Sequence, residues 1–348
     1  MVAEPYQHDA YDAQDGARLV ADIGGTNARF ALETGPGRID AVATLPCADY
    51  PRFADAVRAY LGGHAGTRVR HAAIAIANPV DGDLVKMTNH CWEFSIEQAR
   101  TELGLETLLV VNDFAALAMS VPQLAAADLV QVGGGAPVDG GVIGLVGAGT
   151  GLGVAGLIPA GGNWTVLQSE GGHAAFSPCD GREQAILDFC WQRWQHVSAE
   201  RLVSGPGLSL IHEALASLKG LQAPVLSPAV IVERGLDGGD ALCADVLDAF
   251  CGMLGTVAAN VAVSLCARGG IYIGGGVVPR LGEWFARSPF RARFENKGRF
   301  SGYNARIPCF VIHAPCPALA GAAALLEQHL AQQQRVQRHG TEVRHAHA

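Results

Sequence analysis

Two glycine-rich turns in the sequence have the residue types that bind phosphate groups. The first is Asp22-Ile23-Gly24-Gly25-Thr26-Asn27, and the second is Gly147-Ala148-Gly149-Thr150-Gly151-Leu152-Gly153. Glycine lets the backbone approach a ligand closely, so that several N–H groups point at one anion, and each threonine adds a hydroxyl donor. One such turn alone is better explained as a tight connection without a ligand. Two turns favour a shared polyphosphate, with tight sheet packing as the alternative.

A carboxylate stands directly before the first turn. Asp22 ends the predicted strand that leads into it. Since Mg²⁺ gives up its hydration reluctantly, a single carboxylate of this kind holds the ion through water while the phosphates of a nucleotide supply other ligands. Asp22 is therefore the candidate metal residue.

The sequence Asn112-Asp113-Phe114 follows another predicted buried strand, at the edge where α/β proteins place their ligands. Asp113 is the candidate general base, because a carboxylate there can accept a proton from an attacking hydroxyl. Little basicity is required in a loose phosphoryl-transfer transition state. For an isolated Asn-Asp pair, however, capping of the next helix is the preferred interpretation.

Glu170, His173 and Glu200 are candidates for recognising a polyhydroxylated ligand. Carboxylates and imidazole offer acceptors and donors in a fixed pattern, which suits the hydroxyls of a sugar ring. The alternatives are a structural role for His173 and a surface ion pair of Glu200 with Arg201 or Arg193. Neither Glu170-Gly171-Gly172-His173 nor Ser198-Ala199-Glu200-Arg201 is sufficient evidence of a sugar site by itself.

Strands and helices alternate along the chain and would position these residues. Apolar runs predict strands near 19–23, 28–32, 41–45, 72–77, 108–111, 142–146, 152–158, 271–273 and 310–313. Helical spacing predicts helices near 53–61, 95–103, 114–119, 183–194, 208–218, 240–268 and 317–330. This alternation indicates an α/β fold with a mainly parallel sheet. The repeated strand, glycine turn and strand predict two similar halves with facing hairpin tips.

Composition limits the class of protein. The chain has 348 residues, 49% hydrophobic and 17% charged, which is typical of a globular enzyme long enough for two domains. Its formal net charge of -8 argues against nucleic-acid binding. Nine cysteines without a CxxC pair, and an N-terminus without an apolar signal stretch, predict a cytoplasmic protein with reduced thiols. The uncharged segment 141–162 is rich in glycine, so we expect strand, turn and strand and no membrane span.

The order of the motifs is more specific than any one of them. Between Arg18 and Leu330 the chain contains DIGGTNARF, NDF, GAGTGLG, EGGH, SAER and GGIYIGGG in unbroken succession. This series resembles the bacterial glucokinase family, within the hexokinase and actin-like ATPase superfamily. The segment Met87-Thr88-Asn89-His90-Cys91-Trp92 also resembles that family.

The resemblance implies an α/β fold of two ribonuclease H-like (actin-like ATPase) domains with an inter-domain cleft. The expected small domain is discontinuous, formed by residues 18–123 and 314–331, and the large domain covers 124–313. Residues 1–17 and 332–348 are expected to be flexible tails. The implied activity is ATP-dependent phosphorylation of D-glucose at the 6-hydroxyl, in a homodimer that binds no nucleic acid and no membrane.

The resemblance also assigns roles to individual residues. It implies that Asp113 is the catalytic base and that Asp22 holds Mg²⁺ through water. The implied sugar-binding residues are Asn112, Asp113, Glu170, His173 and Glu200. The implied ATP-binding residues are Asp22, Gly24, Gly25, Thr26, Asn27, Gly149, Thr150, Gly151, Gly274, Gly275 and Gly276.

Two alternatives stay open at the level of sequence. A kinase or repressor of the ROK family shares the fold but carries a cysteine-rich zinc motif after its sugar-binding histidine, whereas here only Cys179 follows His173 closely. The other alternative is a non-catalytic sugar sensor. The presence of Asp22, Asp113 and both glycine turns argues against a loss of turnover.

Overall fold

The computed structural model describes residues 16–87, 90–222 and 224–346, with side chains through residue 336. The expected tail up to residue 15, and Thr88 and Asn89 of the family-like segment, lie outside these ranges. Contacts divide the described chain into two compact units. The N-terminal unit contains the residues up to 124 and from 315 onward, and the central unit contains residues 125–314.

The N-terminal unit starts with a hairpin and continues with alternating strands and helices. Its elements before residue 125 are β1 (Ala17–Ile23), β2 (Asn27–Gly35), β3 (Arg38–Pro46), α1 (Phe53–Gly62), β4 (Val69–Ile76), β5 (Leu84–Lys86), β6 (Glu93–Ser95), α2 (Ile96–Glu102), β7 (Thr107–Asn112) and α3 (Asp113–Ser120). Ser95 caps α2 by accepting a hydrogen bond from the Gln98 N–H, as its position in the sequence predicts.

The central unit repeats the hairpin and then inserts a group of helices. Its elements are β8 (Leu129–Val132), β9 (Ile143–Ala148), β10 (Leu152–Ala160), β11 (Asn163–Ser169), α4 (Gly181–Trp191), α5 (Ala199–Leu202), α6 (Gly205–Leu218), α7 (Pro228–Leu236), α8 (Ala241–Leu265), β12 (Gly270–Gly274), α9 (Glu283–Arg287), α10 (Phe290–Glu295), α11 (Ser301–Asn304) and β13 (Cys309–Ile312). The uncharged segment 141–162 forms β9 and β10, which confirms its interpretation as strand, turn and strand.

The sheets are mixed, so the prediction of a mainly parallel sheet is wrong. The N-terminal unit has the strand order β3-β2-β1-β4-β7, in which only the pairs β1-β4 and β4-β7 are parallel. The central unit has the order β11-β10-β9-β12-β13-β8, and only β9, β12 and β13 pair in parallel. Short glycine connections explain the difference, since strands joined by a tight turn must pair antiparallel.

The parallel strands of the N-terminal unit are buried on both faces. Leu19, Ala21 and Ile23 of β1 pack into one core, whereas Val20 packs into a second core on the opposite face. This alternation follows from the two-residue period of a strand, and it explains why Leu19, Val20 and Ala21 form an unbroken apolar run.

One apolar helix forms the centre of the other unit. α8 is the one helix in the described ranges that is long and apolar enough to cross a membrane, and 72% of its most apolar window is buried inside the structure. Asp240 caps its first turn by accepting from the Leu242 and Cys243 N–H groups, both at 3.0 Å. The composition of α8 is therefore explained by its place in the core.

The last helix belongs to the N-terminal unit. α12 (Pro317–Ala346) packs against α3, and a Cβ atom at Gly321 would lie only 1.7 Å from the Ala116 carbonyl oxygen. The predicted end of this helix near Leu330 is wrong, because the segment 332–346 that the sequence assigned to a tail is helical. Gln, Arg and Glu are good helix formers, so a polar composition does not end a helix.

A buried ionic cluster joins α12 to the sheet. The Arg18 guanidinium on β1 lies 3.5 Å from a Glu33 carboxylate oxygen on β2 and donates a hydrogen bond to Glu327 on α12. The three side chains are no more than 4% exposed. Burial raises the pKa of Glu33 above its ordinary value, although the neighbouring Arg18 acts in the opposite direction. The cluster is stable only while the guanidinium stays between the two carboxylates.

Replacing Arg18 by methionine should therefore destabilise the N-terminal unit by about 3–5 kcal/mol at pH 7. An acid whose pKa is raised on folding binds more protons in the folded state, so folded stability falls as pH rises. The loss caused by Arg18→Met should accordingly shrink when urea unfolding is repeated at pH 5. The exposed Arg38 pairs with Asp40 on the surface, and Arg38→Met should cost less than about 1 kcal/mol. Equal losses for the two variants, or a loss independent of pH, would contradict this explanation.

Candidate active site

The first glycine turn closes the hairpin of the N-terminal unit. The Gly24 N–H donates to the Asn27 carbonyl at 3.0 Å, and the Cys47 N–H donates to the Thr26 carbonyl at 2.9 Å. Thr26 is exposed, so its hydroxyl is accessible at the tip. A Cβ atom at Gly24 would meet the Asn27 oxygen at an ordinary 3.7 Å, and Gly24 has no positive φ. The turn itself therefore does not require glycine at this position.

Asp22 lies beside this turn in a partly buried site. Its carboxylate accepts from Arg29 at 3.1 Å, and its side chain is 19% exposed. Burial raises the pKa of Asp22, and the charge and hydrogen bond of Arg29 only partly offset this effect. In the ranges that the structure describes, no group of three or more His, Cys, Asp or Glu side chains is arranged to hold a metal ion. A single carboxylate fits a hydrated Mg²⁺ that takes its other ligands from phosphates.

The carboxyl ends of three parallel strands lie at one edge of the same sheet. Ile23 pairs with Ile76, and Ile76 pairs with Asn112, so the residues after β1, β4 and β7 are neighbours. The Asn112 side chain accepts from the Phe114 and Ala115 N–H groups at 2.9 and 3.2 Å and donates to the Asn78 carbonyl at 3.3 Å. The capping interpretation is thus correct for Asn112.

Asp113 has a different position from Asn112. It is the first residue of α3 and is half-buried. Because the N-terminal end of a helix favours negative charge, this place suits an ionised carboxylate. The N-terminal unit therefore brings Asp22, the first glycine turn, Asn112 and Asp113 to one sheet edge.

The second glycine turn joins β9 to β10 in the central unit. The Gly149 N–H donates to the Gly151 carbonyl at 2.8 Å, and the Gly205 N–H at the start of α6 donates to the Gly149 carbonyl at 2.7 Å. A Cβ atom at Gly149 would meet nothing within 4 Å, and its φ is not positive. As at Gly24, neither packing nor backbone conformation requires glycine there.

The glycines at 274–276 lie against the strand that enters this turn. Gly274 pairs with Gly147 between the parallel strands β12 and β9. Gly275 has a φ of +81°, and a Cβ atom there would lie 2.3 Å from the Ala148 carbonyl oxygen. Glycine at 275 is therefore required by both conformation and packing.

Glu170, His173 and Glu200 converge beside the second turn. The His173 Nε2 atom lies 3.9 Å from Glu170 Oε2, and its Nδ1 atom lies 3.9 Å from Glu200 Oε1. The other oxygen of Glu200 accepts from the Leu152 N–H at 2.9 Å, at the end of the glycine turn. The side chains of Glu170 and His173 are 65% and 61% exposed, and that of Glu200 is 33% exposed. The group is open to a ligand.

Glu200 does not form the surface ion pair that the sequence left open. Arg193 donates to Glu213 at 2.8 Å, and the Arg201 guanidinium stacks on the Trp194 ring at 4.1 Å from its centroid. The carboxylate of Glu200 instead accepts a hydrogen bond from the main chain of the turn and lies next to the His173 ring. His173 likewise has an exposed ring and no buried structural role.

A cavity of about 820 Å³ opens next to this group. Thr150, His173 and Glu200 line one part of it, and Trp194, His196 and Arg201 are among its other lining residues. Sequence reasoning missed His196 and this cavity. The one available signal was the position of His196 two residues before the Ser198-Ala199-Glu200-Arg201 motif.

Known proteins similar to this chain belong to the family that its motifs resemble. A family model described as glucokinase matches residues 19–329 of the chain. The chain belongs to the glucokinase family. The resemblance seen in the sequence is thereby confirmed, and the match favours this family over the ROK alternative.

Relatives cover the chain to different extents. A glucokinase of Neisseria meningitidis serogroup B is 54% identical over 90% of this chain and 95% of its own length. A protein of Paraburkholderia xenovorans named bifunctional protein glk is 57% identical over 91% of this chain, and the chain spans about half of that relative's length. The crystal structure of a glucokinase from an Antarctic psychrotroph has a TM-score of 0.82 and 35% identity, covering 90% of this chain and 99% of its own.

The packing of Gly275 leads to a stability prediction for this glucokinase-family chain. Gly275→Ala places a methyl group against the Ala148 backbone and forces a left-handed conformation on alanine, so we expect a loss of about 2–4 kcal/mol. The adjacent Gly276 is a matched control, because a Cβ atom there meets nothing within 4 Å. Gly276→Ala should leave the free energy of unfolding within about 0.5 kcal/mol of the wild type. Similar midpoints for the two variants in urea would show that the close approach at Ala148 is not required.

Proposed function

We propose that this chain is an ATP-dependent glucokinase that phosphorylates D-glucose at its 6-hydroxyl. The observation that carries the proposal is the convergence of Glu170, His173 and Glu200 beside the second glycine turn, within a chain of the glucokinase family. Carboxylates and imidazole at that spacing suit adjacent sugar hydroxyls, and the turn next to them suits phosphate.

The open space at two glycines supports phosphate binding by the turns. Gly24 and Gly149 are not required by packing or by φ. A requirement for close approach of a ligand to the backbone accounts for glycine at both positions, as in other phosphate-binding loops. We assign Gly24, Gly25, Thr26 and Asn27 to one side of the ATP polyphosphate and Gly149, Thr150 and Gly151 to the other. Gly274, Gly275 and Gly276 are assigned to the adenosine.

Asp22 is the residue proposed to hold Mg²⁺, which neutralises charge on the phosphates when it is bound. Burial and the raised pKa of Asp22 make its carboxylate costly to keep charged without a cation. The exposed fraction of its side chain leaves room for water between the carboxylate and the ion. Arg29, on the neighbouring strand β2, forms an ion pair with the Asp22 carboxylate.

Asp113 is the proposed general base. The 6-hydroxyl oxygen of glucose forms a bond to the γ-phosphorus, the bond from that phosphorus to the β–γ bridging oxygen breaks, and the hydroxyl proton passes to Asp113. ADP and glucose 6-phosphate are the products. Asn112 fixes the start of α3 through its capping bonds, so it positions Asp113 in addition to its proposed contact with the sugar.

The proposal includes the domain arrangement that the family resemblance implies. We propose that each of the two units is an actin-like ATPase domain.

The decisive variant is Asp113→Asn, which keeps the shape of the side chain and removes its basicity. We expect ADP release with glucose and MgATP to fall about 10²- to 10⁴-fold, which is the usual contribution of a general base. Glucose affinity, measured by calorimetry without turnover, should change less than about tenfold, since Asn still accepts a hydrogen bond.

Asp139→Asn, in an exposed loop of the central unit, is the control and should leave turnover unchanged. Retained turnover in Asp113→Asn would rule out Asp113 as the base. Glucose binding without any ADP release in the wild-type chain would instead favour a sugar sensor.

A further inference from the structure

The loop that carries His173 is joined to the segment that carries Glu200. The Phe176 N–H donates to the Val197 carbonyl at 2.8 Å, and the Ala199 N–H donates to the Ala174 carbonyl at 2.9 Å. Ala175 and Ser198 form an antiparallel bridge between these two bonds. Backbone hydrogen bonds therefore fix the relative position of two segments that are more than 20 residues apart in sequence.

One side-chain bond extends these contacts to His173 itself. The His196 Nε2 atom lies 3.0 Å from the His173 carbonyl oxygen. A carbonyl oxygen can only accept, so the Nε2–H group of His196 must be the donor. His196 is exposed and belongs to no hydrophobic core, and packing therefore does not explain its place.

The other side of the same loop is fixed by β10. A Cβ atom at Gly172 would lie 2.0 Å from the Leu152 carbonyl oxygen, so the loop rests directly on the end of the second glycine turn. The Leu152 N–H in turn donates to Glu200. The backbone at 172–173 is thus in contact with both Leu152 and His196, while the His173 ring lies between the carboxylates of Glu170 and Glu200.

We propose that His196 is a positioning residue of the sugar site, which acts by holding the main-chain carbonyl of His173. The inference rests on the proposed function and adds to it a residue outside the predicted sugar contacts. Without the His196 bond the carbonyl turns toward water and the imidazole loses its fixed place between the two carboxylates. Loss of the bond weakens binding of the sugar and leaves binding of the nucleotide unchanged, because the second glycine turn keeps its bonds to Gly205 and Glu200.

The test compares His196→Ala with His196→Gln, whose side-chain amide can still donate. For His196→Ala we expect KM for glucose to rise about five- to tenfold, as the loss of one hydrogen bond implies, with KM for MgATP changed less than twofold. His196→Gln should return KM for glucose to within about threefold of the wild type. The unfolding midpoint of both variants should stay close to that of the wild type, since the side chain is exposed.

His64→Ala is the matched control. His64 Nδ1 bonds to the Tyr60 carbonyl at 2.9 Å in the N-terminal unit, so this variant loses the same kind of bond at a place without predicted site residues. It should leave both KM values unchanged. An unchanged KM for glucose in His196→Ala, an equal rise in KM for MgATP, or no recovery in His196→Gln would overturn the proposal. Absence of glucose turnover in the wild type would refute the proposed function itself. The wild type is measured first, so this outcome is distinguished from a failure of the His196 proposal.

Discussion

The carboxylate of Glu200 is the group on which the candidate site of the central unit depends. One oxygen accepts from the Leu152 N–H at the end of the glycine turn, and the other lies 3.9 Å from the His173 ring. Gly151 must be glycine for this contact, because a Cβ atom there would lie 2.4 Å from Glu200 Oε2. A change in the turn therefore reaches the proposed sugar residues through the Glu200 side chain, in addition to the close approach of Gly172 to the Leu152 carbonyl. One carboxylate thus contacts both the glycine turn proposed to bind phosphate and the histidine proposed to bind the sugar.

In the N-terminal unit the sheet positions the candidate site residues. Parallel pairing of β1, β4 and β7 in register places the residues that follow these strands side by side, so that Asp22, Asn112 and Asp113 share one edge although up to 91 residues separate them. The buried Arg18 cluster fixes α12 to the same sheet. A rigid sheet is needed because the position of the proposed base depends on where α3 begins.

Local patterns in the sequence predicted much of this structure, and long-range contacts account for what they did not predict. Ser95 and Asn112 are caps that local sequence identifies, and the two glycine-tipped hairpins follow from apolar runs around glycine. The antiparallel pairing of β3, β8 and β11 was missed, because β8 and β11 were not predicted as strands and an apolar run does not give the direction of β3. The bond from His196 to His173 depends on two segments that meet only in the fold, and no local pattern marks it.

The most direct test of the account is turnover of purified wild-type protein with MgATP in a coupled ADP assay. Glucose is compared with mannose, fructose and N-acetylglucosamine at equal concentration. We expect turnover mainly with glucose. Absence of turnover with all four sugars would contradict it.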